Sequence, residues 1–186
     1  MRINKWLGLG AGWVLGGPIG GIIGFAVGAI VDGNIKFKAN RGQTTVNDFA
    51  YSLIVLVSSV MKADGRIMKS ELYYVKTFLT RTFGEEAARE LTFLLRDILD
   101  KDIPLQDVCY QIRDNLEYHS RLELLHLLFG VSKADGIVHP EEVAIIETIS
   151  VYMDISKADF ESIKSMFVEQ FNWAYKVLGV EQTANI

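Results

Sequence analysis

Residues 7–31 form a run of 25 positions without one charged side chain. At about 1.5 Å of rise per residue, such a run reaches roughly 37 Å as a helix, enough to cross a hydrocarbon core of about 30 Å with some tilt. Nine of the 25 residues are glycine. In water each would cost about 1 kcal/mol relative to alanine in a helix. In lipid the backbone must satisfy its own hydrogen bonds, so helix remains the available form. Gly8, Gly12, Gly16, Gly20, Gly24 and Gly28 recur every fourth position. That spacing makes one stripe of small residues along a helix, a face on which a second backbone approaches closely. The expectation is a transmembrane helix that self-associates into a homo-oligomer through this stripe. Pro18, after Gly16 and Gly17, is where the helix would kink or break into a hairpin. A cleaved signal peptide is the rival reading, with Arg2 and Lys5 as its basic start and residues 26–28 as a small-x-small cleavage site. The apolar run is too long and too glycine-rich to suit it.

Charge divides at the end of this run. Residues 1–41 hold five basic side chains and one acid, Asp32. Lys36, Lys38 and Arg41 outnumber Arg2 and Lys5, which by the positive-inside rule places the C-terminal side in the cytoplasm. The same three suit contact with anionic lipid headgroups. Residues 42–186 carry 14 basic and 22 acidic side chains, a balance of −8. So acidic a domain repels a phosphate backbone, and nucleic acid is not an expected partner.

Beyond residue 43 the pattern is helical. Apolar residues recur at steps of three and four: Phe49, Leu53, Leu56, Val57, Val60; Leu91, Leu94, Leu95, Ile98; Leu122, Leu125, Phe129. Thr45 with Asp48, and Ser156 with Asp159, read as capping boxes, while Pro104 and Pro140 suit first helical turns. No alternating strand pattern competes.

The chain also repeats itself at an offset of 71. Leu53, Leu56, Val60, Lys62, Ala63, Asp64, Gly65, Glu71 and Thr77 match Leu124, Leu127, Val131, Lys133, Ala134, Asp135, Gly136, Glu142 and Thr148. Each copy reads as an apolar helix, the turn Lys-Ala-Asp-Gly, and a second helix opening near a glutamate. Two such units, joined by helices over residues 85–118, give an all-α architecture: an N-terminal transmembrane helix, then a compact bundle of two duplicated helix-turn-helix units with pseudo-twofold character.

Asp64 and Asp135 stand at helix C-termini, where the dipole disfavours negative charge. Their placement therefore has another cause, either an Asx bond to following amides or a cation. Packed about a pseudo-dyad, Asp64, Glu71, Asp135 and Glu142 (with Glu141 nearby) converge, and four hard oxygen donors suit Ca²⁺, Mg²⁺ or Mn²⁺. The spacing is not that of an EF-hand. The competing reading has each Asp and Glu simply tie its turn to the next helix.

Cys109, the only cysteine, reads as a small core residue, and no internal disulfide is available. His119 and His126, seven apart, read as partly buried helix residues, and His139-Pro140-Glu141 as a helix entry. A phosphate-binding glycine loop, a serine nucleophile elbow and a zinc-protease motif are all absent from the sequence, so no catalytic residue is expected.

The duplicated Lys-Ala-Asp-Gly…Glu pattern, Lys62 to Glu71 and Lys133 to Glu142, resembles the TerB-like domain named for tellurite resistance. A glycine-rich membrane segment directly before such a domain resembles the DjlA-type membrane-anchored co-chaperones. Ala174-Tyr175-Lys176-Val177-Leu178-Gly179-Val180 looks like the opening of a J-domain. The resemblance implies an anchor over 1–41, a TerB-like domain over 42–171 and a J-domain-like start over 172–186, in a single-pass protein of the bacterial inner membrane. It implies a non-enzymatic interaction protein of stress biology, with a DnaK-type chaperone as partner only if a J-domain follows; here no His-Pro-Asp loop is present. It also implies that Asp64, Glu71, Asp135 and Glu142 match the suspected metal site of TerB-like domains. The alternative function is a divalent-ion sensor or buffer in tellurite or other metal stress.

Overall fold

A computed structural model describes residues 17–19, 22 and 44–178, with side chains from residue 49 to 168 and at the four earlier positions. Residues 44–178 form seven helices: α1 Thr44–Met61, α2 Lys69–Phe83, α3 Glu85–Leu99, α4 Leu105–Asn115, α5 Tyr118–Ser132, α6 Pro140–Tyr152 and α7 Lys157–Leu178. No strand occurs among the described residues.

The first helix of each repeat is the centre of the bundle. Every residue of α1 from Ser52 to Ser58 is at most 2% exposed. A helix apolar on all sides must be covered on all sides, and α3, α4, α5 and α6 do so here. In α5 the run from Leu128 to Ser132 is buried in the same way. The pairings show the internal symmetry: α1 packs on α5, α2 on α5 as α6 on α1, and α3 on α1 as α7 on α5. Phe129 lies at the heart of the second half, tilted against Phe160 and stacked on Phe167 at 5.7 Å.

The turns behave as their sequence predicts. After α1 and α5 the chain closes through Gly65 and Gly136, at φ +76° and +93°, a left-handed conformation that glycine adopts without the penalty a side chain brings. Pro140 occupies the first turn of α6, whereas Pro104 lies one residue before α4. Ser156 Oγ accepts the Asp159 N–H at 3.1 Å and donates to its carboxylate. The Ser156 N–H goes instead to Tyr118 Oη, so this cap is tied to the start of α5. The side chains of Thr45 and Asp48 lie outside the described residues.

The six stripe glycines and residues 179–186 also lie outside the described residues, and of residues 169–178 only the backbone is described. No described helix is long and apolar enough to cross a membrane. Within the apolar run, Gly17 has φ +60°, directly before Pro18. Gly17, Pro18 and Ile19 are helical, as is Ile22, and the φ of Gly17 is one that a side chain would strain. Ile19 is 7% exposed within the domain core, and Ile22 packs partly against it.

Candidate functional site

The two duplicated turns meet. Each repeat opens its second helix with a glutamate at the third helical position, Glu71 in α2 and Glu142 in α6. The helix dipole favours a carboxylate in a first turn. Glu71 Oε2 accepts the Met68 N–H at 2.8 Å, and Glu142 Oε2 accepts the His139 N–H at 3.0 Å. These are the reach-back halves of two capping boxes, without a side-chain cap in return.

A cap of this kind normally sits in solvent. Here Glu71 is 5% and Glu142 2% exposed, and the two carboxyls hydrogen-bond to each other. Burial raises Glu71 from an ordinary 4.5 to about 7; the Met68 N–H opposes the rise, while the charges of Glu142 and Asp64 add to it. Burial likewise raises Glu142, aided by Asp64 and Asp135 and opposed by the bonds from the His139 N–H and from Glu71. Glu71 thus keeps its proton and donates it to Glu142, as two close carboxylates must when water cannot separate them.

The aspartates flank this pair. Asp64 Oδ1 accepts the Arg66 N–H at 2.8 Å, and Asp135 Oδ1 accepts the Ile137 N–H at 2.9 Å. Both make the Asx bond that explains an acid at a helix end. The His139 imidazole stands 4.0 Å from Asp135 Oδ2. Glu71 and Glu142 therefore meet, with the charge of Asp64 acting on both and that of Asp135 on Glu142, and each of the four acids is also held by a local backbone bond. That bond uses one oxygen of each carboxyl. Among the described residues no group of three or more Asp, Glu, His or Cys side chains is placed to hold a metal ion.

Around the carboxyls the turns carry Ile67, Met68 and Ile137, which are 45%, 41% and 54% exposed. Neither the helical period nor the capping pattern singles these out. A second feature missed by sequence is a groove of about 570 Å³ lined by Phe49, Phe78, Leu122, Leu127 and Ile163, with His126 at its edge.

The other candidates fall where the chemistry of their surroundings puts them. Cys109 is fully buried in α4, and burial raises its thiol to about 12, which removes it as a nucleophile. His119 and His126 are exposed rather than partly buried. Their shared face of α5 borders the groove, with His126 edge-on to Phe167 at 4.9 Å and His119 3.3 Å from Glu123.

Comparison with known proteins follows the same division of the chain. Residues 50–165 match the family model described as tellurite resistance protein TerB, and residues 1–45 that of the co-chaperone DjlA transmembrane domain. A co-chaperone protein DjlA of Coxiella burnetii is 22% identical, the match covering 98% of this chain and 78% of that protein. Those of Yersinia pseudotuberculosis and Pasteurella multocida are 25% and 24% identical over 88% of this chain. The chain spans about three fifths of the length of these last two, 62% and 61%. No solved structure matches.

Proposed function

The chain belongs to the TerB tellurite-resistance family, and from that premise we propose that it is a membrane-anchored, non-enzymatic interaction protein of the DjlA co-chaperone kind. The observation that carries this reading is the order of the two matches, a DjlA transmembrane domain over 1–45 directly before TerB over 50–165. Residues 1–41 anchor the chain in a bacterial inner membrane by a single pass. The domain of residues 42–171 faces the cytoplasm; residues 172–186 resemble the opening of a J-domain, and a DnaK-type chaperone is a partner only if a J-domain follows. The stripe Gly8, Gly12, Gly16, Gly20, Gly24 and Gly28 brings two anchors together. Replacing Gly16 and Gly20 with Leu should lower the signal of a membrane two-hybrid assay between two copies. An unchanged signal removes self-association through the stripe.

The meeting of the duplicated acids favours a second reading, in which a divalent cation, Ca²⁺, Mg²⁺ or Mn²⁺, takes the place of the proton between Glu71 and Glu142, with Asp64 and Asp135 completing the ligands. Oxygen donors alone suit these hard ions better than zinc. The expected result is a rise in melting temperature of residues 42–186 with one of these ions, abolished when Asp64→Asn and Asp135→Asn are combined. An ion at a hundredfold excess over its dissociation constant adds about 2.7 kcal/mol. No shift with any of the three ions ends this reading and leaves the turns as structural caps.

A further inference from the structure

We propose that α4 carries a docking site for the chain's own N-terminal apolar segment, so that Gly17, Pro18, Ile19 and Ile22 exchange between the bilayer and the domain, each placement excluding the other. The exchange rests on the anchoring reading above; the docking site itself does not.

The fit is specific on both sides. The Ile19 N–H donates to Gln111 Oε1 at 2.9 Å, and the side chain of Ile19 joins the domain core. Pro18 has no N–H to leave unpaired, so Ile19 offers the next amide, and Gln111 takes it. Gly17 lies so close that an added Cβ would stand 3.0 Å from Gln111 Oε1, and its φ of +60° disfavours any side chain. Gly-Pro-Ile is thus the sequence that the α4 surface admits, and a bulkier first residue is shut out.

The exclusion follows from position. Ile19 is the centre of the 25 uncharged residues, about 18 Å from either end of the run as a helix, which puts it near the midplane of a spanned bilayer. Gln111 lies on a helix that also bears Asp107, Arg113 and Asp114, all exposed. Such a surface does not follow Ile19 into hydrocarbon. The same residue is therefore in the membrane or on the domain, as in any two-state exchange where a ligand, here lipid, selects one form.

The test uses the full parent chain, with Ile19 and Gln111 in place, and reads amide hydrogen exchange. Amides of α4 around Gln111 should exchange more slowly in lipid-free protein, at a rate independent of protein concentration, than after reconstitution into phosphatidylethanolamine–phosphatidylglycerol vesicles. Gly17→Val should raise the lipid-free exchange of these amides toward the vesicle rate while leaving vesicle flotation intact. Equal α4 rates lipid-free and in vesicles, protection that depends on protein concentration, or no effect of Gly17→Val overturns the proposal. Flotation of the unmodified chain decides the anchoring reading separately.

Discussion

The Glu71–Glu142 pair makes stability depend on pH with a definite sign. In the unfolded chain Glu71 titrates near 4.5, and in the fold near 7. Between those values the folded protein holds a proton that the unfolded chain has released. The contribution of Glu71 to stability is therefore fully present below pH 4.5, is lost as pH rises, and is gone above about 7. The difference between 4.5 and 7, at about 1.4 kcal/mol per tenfold change in the proton equilibrium, comes to about 3 kcal/mol for a side chain this buried. Glu71→Gln keeps an oxygen for the Met68 N–H and an N–H for Glu142, but cannot ionise. It should flatten the profile and make the protein about 3 kcal/mol more stable than the parent at pH 8, while changing little at pH 4.5. Urea denaturation of residues 42–186 from pH 4.5 to 8, with chelator present, measures both. Glu142→Gln supplies the control for coupling. Because burial is the larger cause of the rise at Glu71 and the Glu142 charge a smaller one, this variant should lower the Glu71 pKa only in part and leave a reduced slope. Parent-like slopes in both variants would refute the shared proton.

The remaining predictions concern turns and packing. Gly65→Ala and Gly136→Ala place a Cβ where no atom lies within 4 Å, so each should cost only the backbone penalty of about 1 kcal/mol, and nearly the same in both repeats, by thermal denaturation. Gly130→Ala differs in cause: its Cβ would stand 2.3 Å from Tyr74 Oη, which should cost about 1–3 kcal/mol as overpacking. Tyr74→Leu should recover most of that loss in the double variant, and failure to do so would move the strain elsewhere. Leu128→Ala, in a fully buried side chain of α5, should cost about 2–5 kcal/mol in the same assay.

The bundle was readable from the sequence because its information is local or periodic. Apolar steps of three and four placed the helices, and Gly65 and Gly136 marked where two of them end. The offset of 71 showed that the second unit copies the first. The four acids could be named because the repeat singled them out. Their burial was not readable, since Glu71 and Glu142 stand among polar neighbours in sequence and are covered only by tertiary contact. The histidines show the opposite error. Seven apart on the leucine-rich α5, His119 and His126 read as partly buried, yet both are exposed and line the groove. Gln111 carried no signal at all, because its partner Ile19 is 92 positions away in the chain.

The pseudo-twofold arrangement explains why the duplicated glutamates pair with each other. When two copies of one unit pack about an axis, residues near the axis meet their own equivalents, whereas those away from it meet different neighbours. Glu71 and Glu142 meet each other, and both remain glutamate. Off the axis the copies have diverged: Ser59 corresponds to Gly130, Tyr74 to Ile145 and Met68 to His139. The first two of these differences form one contact, since Gly130 is the position that admits Tyr74, and the reverse pair of Ser59 and Ile145 makes no such demand. A like-charged pair on an axis is unfavourable unless it is neutralised. Here the Met68 and His139 N–H bonds and a shared proton provide that neutralisation. Above about pH 7, the choice between leaving the pair strained and filling it with a cation is what separates a structural cap from an ion site.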